Sequence, residues 1–199
     1  MSARDAILAA ARRNAPVPAP RPEVPGALLA PSGGDRALLP DELAALFVTH
    51  SAAGGAAVVQ ATEAEVGAAI HDAYPDASHV ASAVPEWREG TVELADASHG
   101  LAEVELFVCE GVLGVAENAA VWLPESRLPS RAAPFLAPHV AVVLRREAIV
   151  ATMHDAYRQL GAPEGFGVFV AGPSRTADIE QSLVVGAHGP LSLTIVLVR

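Results

Sequence analysis

Residues 171–190 read AGPSRTADIEQSLVVGAHGP, and they join two apolar runs. The runs, GVFVA at 167–171 and LSLTIVLV at 191–198, are short and rich in β-branched residues, which predicts two buried strands. Glycine frees the backbone and proline stiffens it, so the Gly-Pro steps at 172–173 and 189–190 predict a defined loop. Because open α/β sheets bind ligands in loops at strand ends, we expect the functional site here.

The loop is dense in side chains that bind anions. Arg175 offers a planar fork of donors that suits a carboxylate or a phosphate. Two neighbouring hydroxyls and the backbone N–H groups beside Gly172 would add further donors. In the structural alternative, Arg175 pairs with a carboxylate of the loop and the histidine holds a turn, and the residues leave both interpretations open. The predicted substrate-binding residues of the loop are Ser174, Arg175, Thr176, Asp178, Glu180 and His188.

The same stretch resembles a known family. GPSRTADIE at 172–180, followed by VVGAHGP at 184–190, is similar to the C-terminal signature of the LUD-domain family, in its lactate-utilisation C branch. The segment from Arg131 to His139 resembles the family's R…LP..H pattern, with an alanine inserted in the Leu-Pro step, and adds both residues to the predicted binding set. The resemblance covers 102–199 and implies an α/β fold of the NagB/RpiA/CoA-transferase-like group, a mostly parallel sheet flanked by helices.

The composition favours one domain with an aliphatic core. The chain has 199 residues, of which 51% are hydrophobic and 5% aromatic. A net charge of -10 disfavours binding to nucleic acid or to anionic lipid, because both need a basic patch. We find neither a run of roughly 18 apolar residues nor a cleavable leader at the start, so we expect a cytoplasmic protein.

The cysteine and histidine content bears on cofactors. Cys109 is the single cysteine, so this chain cannot hold a cysteine-ligated cluster by itself, and its apolar LFVC context predicts a buried, inert thiol. The seven histidines include no H-x-H or H-x-x-x-H pair, which predicts no metal site. We therefore expect no cofactor in this chain, and the resemblance implies iron–sulfur clusters in a partner subunit.

The chain divides in sequence into an N-terminal helix with a proline-rich arm, 1–37, and a LUD-type α/β domain, 38–199. Ser2 and Asp5 form a capping-box pattern that predicts a short helix. Five prolines between 16 and 25 predict an extended arm. The arm is either a surface linker or a segment that docks on another subunit of a homo-oligomer.

Alternating apolar patterns within 38–199 predict strands separated by helices, the arrangement of an α/β fold. In the last predicted helix, Ile149, Val150, Met153 and Tyr157 would form the inner face. The predicted strands cover 56–60, 79–83, 103–109, 119–123 and 140–144, and the predicted helices cover 41–50, 62–74 and 147–160.

Glu117 is the candidate catalytic residue. The sequence AENA at 116–119 resembles the A-E-T-G element of the family and the S-E-N-G element of some CoA transferases, whose glutamate is the nucleophile. A carboxylate can form an acyl intermediate when it is oriented and partly desolvated. The alternative is a hydrogen-bonded structural glutamate.

The resemblance implies a component of an L-lactate utilisation system that converts lactate to pyruvate together with an iron–sulfur partner subunit, and that binds a small carboxylate. Two alternatives stay open. One is a stand-alone enzyme of the acyl/CoA-transferase or sugar-phosphate-isomerase type, and the other is a ligand-sensing regulatory module. The residues therefore leave open whether the chain is an enzyme by itself.

Overall fold

The computed structural model describes residues 2–14, 38–84, 87, 92, 100–161, 165–176 and 184–199. The chain divides into two units, Met1–Ala30 and Pro31–Arg199. The first unit contains helix α1 (Ala3–Arg13), which begins at the predicted capping box between Ser2 and Asp5. The proline-rich arm lies outside the described residues, and the predicted boundary after residue 37 stays a prediction.

The second unit holds the sheets and the remaining described helices. The helices are α2 (Pro40–Gly54), α3 (Val66–Ala73), α4 (Ala133–Leu136) and α5 (Met153–Leu160). The strands are β1 (Ala57–Ala61), β2 (Val80–Ser82), β3 (Leu106–Gly111), β4 (Leu113–Val115), β5 (Ala120–Pro124), β6 (His139–Arg145), β7 (Ile149–Val150), β8 (Gly167–Val170), β9 (Arg175–Thr176), β10 (Val184–Val185) and β11 (Ser192–Val198).

The main sheet has the strand order β1-β11-β6-β3-β2, and every neighbouring pair in it is parallel. Its central strands β3, β6 and β11 are buried along most of their length because both faces are covered. Val196 and Val198 face the side of α3, whereas Ile195 and Leu197 face the side of α2. The predicted α/β fold, with its mostly parallel sheet flanked by helices, is confirmed.

A second sheet, of order β7-β4-β5-β8, covers the face of the main sheet that α2 also covers. Its β4–β5 and β5–β8 pairs are antiparallel. Helix α5 packs on its outer face, where Ala156 contacts the cluster around Leu113 and Trp122. The described layers are therefore α3, the main sheet, α2 with the second sheet, and α5.

The strand before the Gly-Pro loop differs from the prediction. GVFV forms β8 as predicted, but the strand is half-buried and pairs antiparallel with β5 in the second sheet. It is not a neighbour of β11, so the loop carries the chain from the second sheet to the amino end of β11. The prediction placed ligand binding where a strand of an open parallel sheet ends, and that premise is wrong for this loop.

The predicted helix 147–160 begins later than expected. Ile149 and Val150 form β7, which pairs with β4, because β-branched residues suit the edge of a sheet. The helix starts only after Thr152, whose side chain accepts a hydrogen bond from the Asp155 N–H in a capping box. Tyr157, predicted to face inward, is 58% exposed.

Two further strands differ in detail from the predictions. β1 is an edge strand of the main sheet and is partly exposed, whereas the apolar run AAVVQ at 56–60 predicts a buried strand. β3 begins at Leu106, because Gly100–Glu103 forms a 3-10 turn before it. Both differences leave the order of elements unchanged.

Candidate functional site

The Gly-Pro loop (residues 171–190) is described at 171–176 and 184–190, and its first part contacts the carboxyl end of α2. Gly172 has a φ of 74°, and a Cβ at this position would lie 2.5 Å from the carbonyl oxygen of Gly54. A Cβ at Gly55 would overlap the guanidinium of Arg175. Glycine suits both positions because it adopts positive φ and lets the two backbones approach. The loop therefore rests on the last turn of α2, with Arg175 beside its end.

Backbone hydrogen bonds close the loop on itself. The Ser174 N–H donates to the Pro190 carbonyl at 2.9 Å, and the Gly186 N–H donates to the Ser174 carbonyl at 2.9 Å. Strands β9 and β10 continue this pairing as an antiparallel pair, Arg175 with Val185 and Thr176 with Val184. The two Gly-Pro steps, which are distant in sequence, thus pack beside each other as one unit.

The predicted binding residues of the loop differ in exposure. Arg175 and His188 are exposed, whereas Ser174 and Thr176 are half-buried. A Cβ at Gly189 would lie 3.0 Å from the Ser174 Cβ, so the chain directly after His188 passes close to Ser174. The structure therefore brings Gly189, the neighbour of His188, against Ser174, the neighbour of Arg175. The other predicted members, Asp178 and Glu180, lie outside the described residues.

Arg175 differs in its electrostatic environment from the arginines that form ion pairs. No carboxylate in the described ranges forms an ion pair with its guanidinium. The guanidinium lies beside the carboxyl end of α2, where a positive charge is favourable because the helix dipole is negative there. Arg175 is thus positioned, and no carboxylate of the described residues occupies its donors. Ion pairs with carboxylates hold Arg127, Arg131, Arg145, Arg146 and Arg158.

Glu117 lies in the turn between β4 and β5. It is exposed, and its Oε2 accepts a hydrogen bond from the Met153 N–H at 2.9 Å, at the amino end of α5. The same turn holds Ala119 at a φ of 57°, a conformation in which glycine is favoured. The bond to Met153 is of the kind that the structural alternative predicts, and the catalytic role of Glu117 stays a prediction.

The Glu117 turn and the start of the Gly-Pro loop meet at the end of α2. The register pairs Val121 of β5 with Val170 of β8, which places Ala120 beside Ala171. His50 of α2 lies 2.6 Å from the Ala116 carbonyl through its Nδ1. Four residues further along the helix, Gly54 contacts the loop. His50 is therefore part of this corner, and its separation from Ala116 in sequence explains why no motif includes it.

Arg131 and His139, predicted to belong to one binding set, have different surroundings. Arg131 forms an ion pair with Glu125 and lies over the Phe166 ring, 5.6 Å from its centroid. His139 begins β6, and its Nδ1 lies 2.8 Å from the Ser192 hydroxyl. The ion pair gives Arg131 a structural role in the described part of the chain, while His139 faces a different group of residues.

His139 lines a cleft of about 330 Å3 at the amino edge of the main sheet, together with Tyr74, Asp76 and Glu105. The backbone N–H groups of Ser78 and His79 donate to Glu105, and these bonds lower the pKa of its carboxyl to about 2. The Leu191 N–H donates to the Pro138 carbonyl at 2.7 Å, which joins the end of the Gly-Pro loop to this edge. His139 and His188 therefore lie at the same edge of the main sheet.

A second cleft, of about 830 Å3, opens at the opposite edge. It lies where β3, β6 and β11 end, and we call it the carboxyl-edge cleft. The sequence patterns do not reveal it, because its residues are scattered over more than a hundred positions and form no motif. The described residues that line it are Glu63, Ala64, Val66, Gly67, Ala68, His71, Val84, Trp87, Glu110, Val143, Arg145 and Val198.

Across the described ranges, no three or more histidine, cysteine, aspartate or glutamate side chains are grouped so that they could hold a metal ion. In the same ranges, no helix has the length and apolar character needed to cross a membrane. Cys109 is fully buried, and burial raises the pKa of its thiol to about 12, which confirms the predicted buried thiol.

The parallel sheet, the second sheet and the Gly-Pro loop define an α/β protein with its polar loop at the amino edge. The chain belongs to the LUD domain family, whose model matches residues 39–198. The chain is also similar to the crystal structure of a DUF162 family protein from Deinococcus radiodurans, with a TM-score of 0.65 and 19% identity over 82% of this chain and all of that one. This likeness shows the fold.

Curated relatives named lactate utilization protein C match part of the chain. The protein of Shouchella clausii (strain KSM-K16) is 36% identical over 90 residues, which cover 42% of this chain and 39% of the relative. That of Bacillus velezensis (strain DSM 23117 / BGSC 10A6 / LMG 26770 / FZB42) is 28% identical over 123 residues, which cover 58% of this chain and 51% of the relative. The matched part thus spans about two fifths to one half of these relatives.

Proposed function

We propose that this chain is a component of a lactate-utilisation system and that it binds a small carboxylate, such as lactate or pyruvate, at Arg175. The name shared by its relatives supports the first part of the proposal. The observation that carries the second part is the exposed Arg175 guanidinium, which has no carboxylate partner among the described residues.

The described part of the loop, 171–176 and 184–190, supports anion binding because contacts within the protein hold it in place. Gly172 rests on Gly54, and the hydrogen bonds of Ser174 close the loop. A preorganised donor loses less conformational entropy when it binds, so more of the interaction energy contributes to affinity. Lactate and pyruvate each carry one carboxylate that can accept two parallel N–H bonds from a guanidinium.

The proposal assigns electron transfer to another protein. We place any iron–sulfur cluster of the system in a partner subunit, because Cys109 is the single cysteine of this sequence and is fully buried. We propose that such a subunit acts with this chain in the cytoplasm. Loss of growth on L-lactate after deletion of this gene, and co-purification of a cysteine-rich iron–sulfur protein, would support this assignment.

Calorimetric titration with lactate and with pyruvate tests the carboxylate site. We expect Arg175→Ala to weaken binding by roughly 1.5–3 kcal/mol, the range for a hydrogen bond to a charged group. Arg158→Ala is the matched control, because Arg158 is an exposed arginine on α5 that is paired with Asp155. Equal affinities in the wild type and in a folded Arg175→Ala variant would refute the site.

The alternative of a stand-alone acyl or CoA transferase makes a different prediction. In that case the isolated chain would turn over an acyl donor, and Glu117→Gln would abolish the activity while leaving carboxylate affinity at Arg175 unchanged. The Met153 N–H that donates to Glu117 would still find an acceptor in the amide oxygen of glutamine, so the fold should be retained. Absence of such turnover favours the lactate-utilisation proposal.

A further inference from the structure

The carboxyl-edge cleft lies where α/β proteins commonly bind small molecules. Glu110, Arg145 and Val198 line it from the ends of β3, β6 and β11. Parallel sheets of open α/β folds bind ligands in the crevice outside the carboxyl ends of their strands. Its volume of about 830 Å3 falls within the ordinary range for small-molecule sites. The cleft is separate from Arg175, which lies at the opposite edge of the sheet.

The lining of the cleft suits a flat, apolar ring. Its apolar part includes the side chains of Val66, Val84, Val143 and Val198. Trp87 is half-buried in the wall, where its indole edge is seated on Gly67 of α3. A Cβ at Gly67 would lie 3.0 Å from Cδ1 and 3.1 Å from Nε1 of that indole. Glycine at this position therefore lets the tryptophan approach the helix.

The position of the Trp87 indole buries a polar N–H group. Its Nε1 is buried and has no hydrogen-bond acceptor among the described residues. A buried donor without an acceptor is unfavourable and is uncommon in native proteins. Because this edge faces Gly67, the rest of the ring system is the part of Trp87 that can face the cleft. An aromatic surface held this way is suited to stacking with a ligand ring.

The charged residues of the cleft do not favour an anion. Arg145 forms an ion pair with Glu63, and Glu110 forms one with Arg127. The hydrogen bond that Arg145 donates to Glu63 raises the pKa of its guanidinium, and the nearby Glu147 and Glu110 carboxylates raise it further. Each arginine is thus already neutralised. A carboxylate accepts several hydrogen bonds, so both glutamates keep capacity for donors of a ligand.

The amino end of α3, which borders the cleft, also disfavours phosphate. Helix amino ends attract anions through free N–H groups and the helix dipole. Here the Glu65 carboxylate accepts hydrogen bonds from the N–H and hydroxyl of Thr62, which lowers its pKa, and Glu63 adds a second negative charge. His71, the remaining titratable group of the lining, lies in the last turn of α3. A phosphorylated ligand would meet negative charge at this end.

We propose that the carboxyl-edge cleft binds a neutral, planar heteroaromatic compound that carries hydroxyl or amino donors and no phosphate, of the nucleoside type. The ring stacks on Trp87 above the apolar lining, and the donors reach the Glu63 and Glu110 carboxylates. This site is independent of carboxylate binding at Arg175.

Calorimetric titration of the full chain with adenosine and with adenosine 5′-monophosphate tests the proposal. We expect saturable binding of adenosine and weaker binding of the monophosphate, and the difference should shrink as salt is added because exposed charges are screened. Trp87→Leu should weaken adenosine binding about 5- to 150-fold, the range for the loss of one aromatic stacking partner. Trp87→Phe, which keeps a ring, should restore part of the affinity.

Two glycine-to-alanine variants, one at Gly67 and one at Gly54, test whether the contact between Gly67 and Trp87 matters for binding. Gly67→Ala places a methyl group against the indole, so it should displace the ring and weaken adenosine binding, while alanine suits the helix. Gly54→Ala adds the same methyl group to a helix where nothing lies within 4 Å, and it should leave adenosine binding unchanged. Failure to bind adenosine at millimolar concentration, equal affinity for the monophosphate, or an unchanged affinity in Trp87→Leu would overturn the proposal.

Discussion

The seating of the Gly-Pro loop on α2 makes a quantitative prediction for Gly172→Ala. The residue has a φ of 74°, and an L-amino acid in this region costs about 1–2 kcal/mol relative to glycine. Alanine also restricts the unfolded chain, which returns about 0.4–1 kcal/mol of stability. The backbone term by itself therefore predicts a small destabilisation.

The steric term decides the size of the effect. The new methyl group would lie 2.5 Å from the Gly54 carbonyl oxygen, while ordinary contacts begin at 3.4 Å, so the backbones have to separate by the difference, about 0.9 Å. Both partners are backbone atoms, and no side-chain rotation relieves the overlap. Overpacking of this kind costs typically 1–3 kcal/mol. We expect Gly172→Ala to lower the free energy of unfolding by about 3 kcal/mol in total.

Gly165→Ala is the control for the backbone term. Gly165 has a φ of 73°, and a Cβ there would meet only the end of the Glu125 side chain, at 3.1 Å. We expect it to cost about 1 kcal/mol, from the positive φ less the effect on the unfolded chain. Urea and thermal unfolding should then show Gly172→Ala melting about 4–8 °C below Gly165→Ala, since 1 kcal/mol shifts the melting temperature by about 2–4 °C at this size.

The comparison has one outcome that refutes the reasoning. Equal unfolding free energies for Gly172→Ala and Gly165→Ala would mean that the loop does not rest on Gly54. The same variant should also reduce carboxylate affinity, because Arg175 moves with the loop away from Gly55. Lower stability with unchanged carboxylate affinity would separate the packing of the loop from its proposed role in binding.

Two further predictions concern the amino edge of the main sheet. Hydrogen bonds from Ser78 and His79 lower the pKa of Glu105 to about 2, so the ionised carboxylate stabilises the fold fully above the usual glutamate pKa, and this stabilisation is lost as the pH falls from about 4.5 to 2. The free energies of unfolding of the wild type and of Glu105→Gln should therefore differ at pH 6 and converge near pH 2. A difference that stays constant with pH would contradict this prediction. Tyr74→Phe removes the hydroxyl that lies 2.8 Å from the buried Thr194 hydroxyl and 3.3 Å from the Val140 carbonyl. We expect urea unfolding to show that the free energy of unfolding falls by about 1–2 kcal/mol. An unchanged free energy of unfolding would show that these hydrogen bonds are not formed.

Local patterns in the sequence predicted the elements whose causes are local. The capping pair Thr62 and Glu65 identifies the start of the segment that becomes α3, because the hydrogen bonds involved span three residues. The apolar run at 191–198 predicts the buried strand β11, because a strand covered on both faces favours apolar residues along its length. The glycines of the Gly-Pro loop likewise indicate a backbone that bends sharply.

Errors arose where a distant partner determined the structure. Ile149 and Val150 fit the inner face of a helix in periodicity, but the free edge of β4 paired with them as β7. The GVFV run has the composition of a buried strand, but its partner is β5 of the second sheet. Neither partner is visible in the local sequence, since strand pairing depends on which edges the fold leaves open.

The sequence by itself determined that this chain forms an α/β fold, and it identified the loop that carries Arg175, because periodicity, glycines and capping residues act over a few positions. The tertiary structure decided which edge of the sheet this loop reaches, and it brought Gly54 of α2 against Gly172. It also assembled the carboxyl-edge cleft, where Gly67 and Trp87 meet beside Arg145. Clefts and ion pairs depend on distances between residues that are far apart in the chain, and those distances are set only when the layers pack.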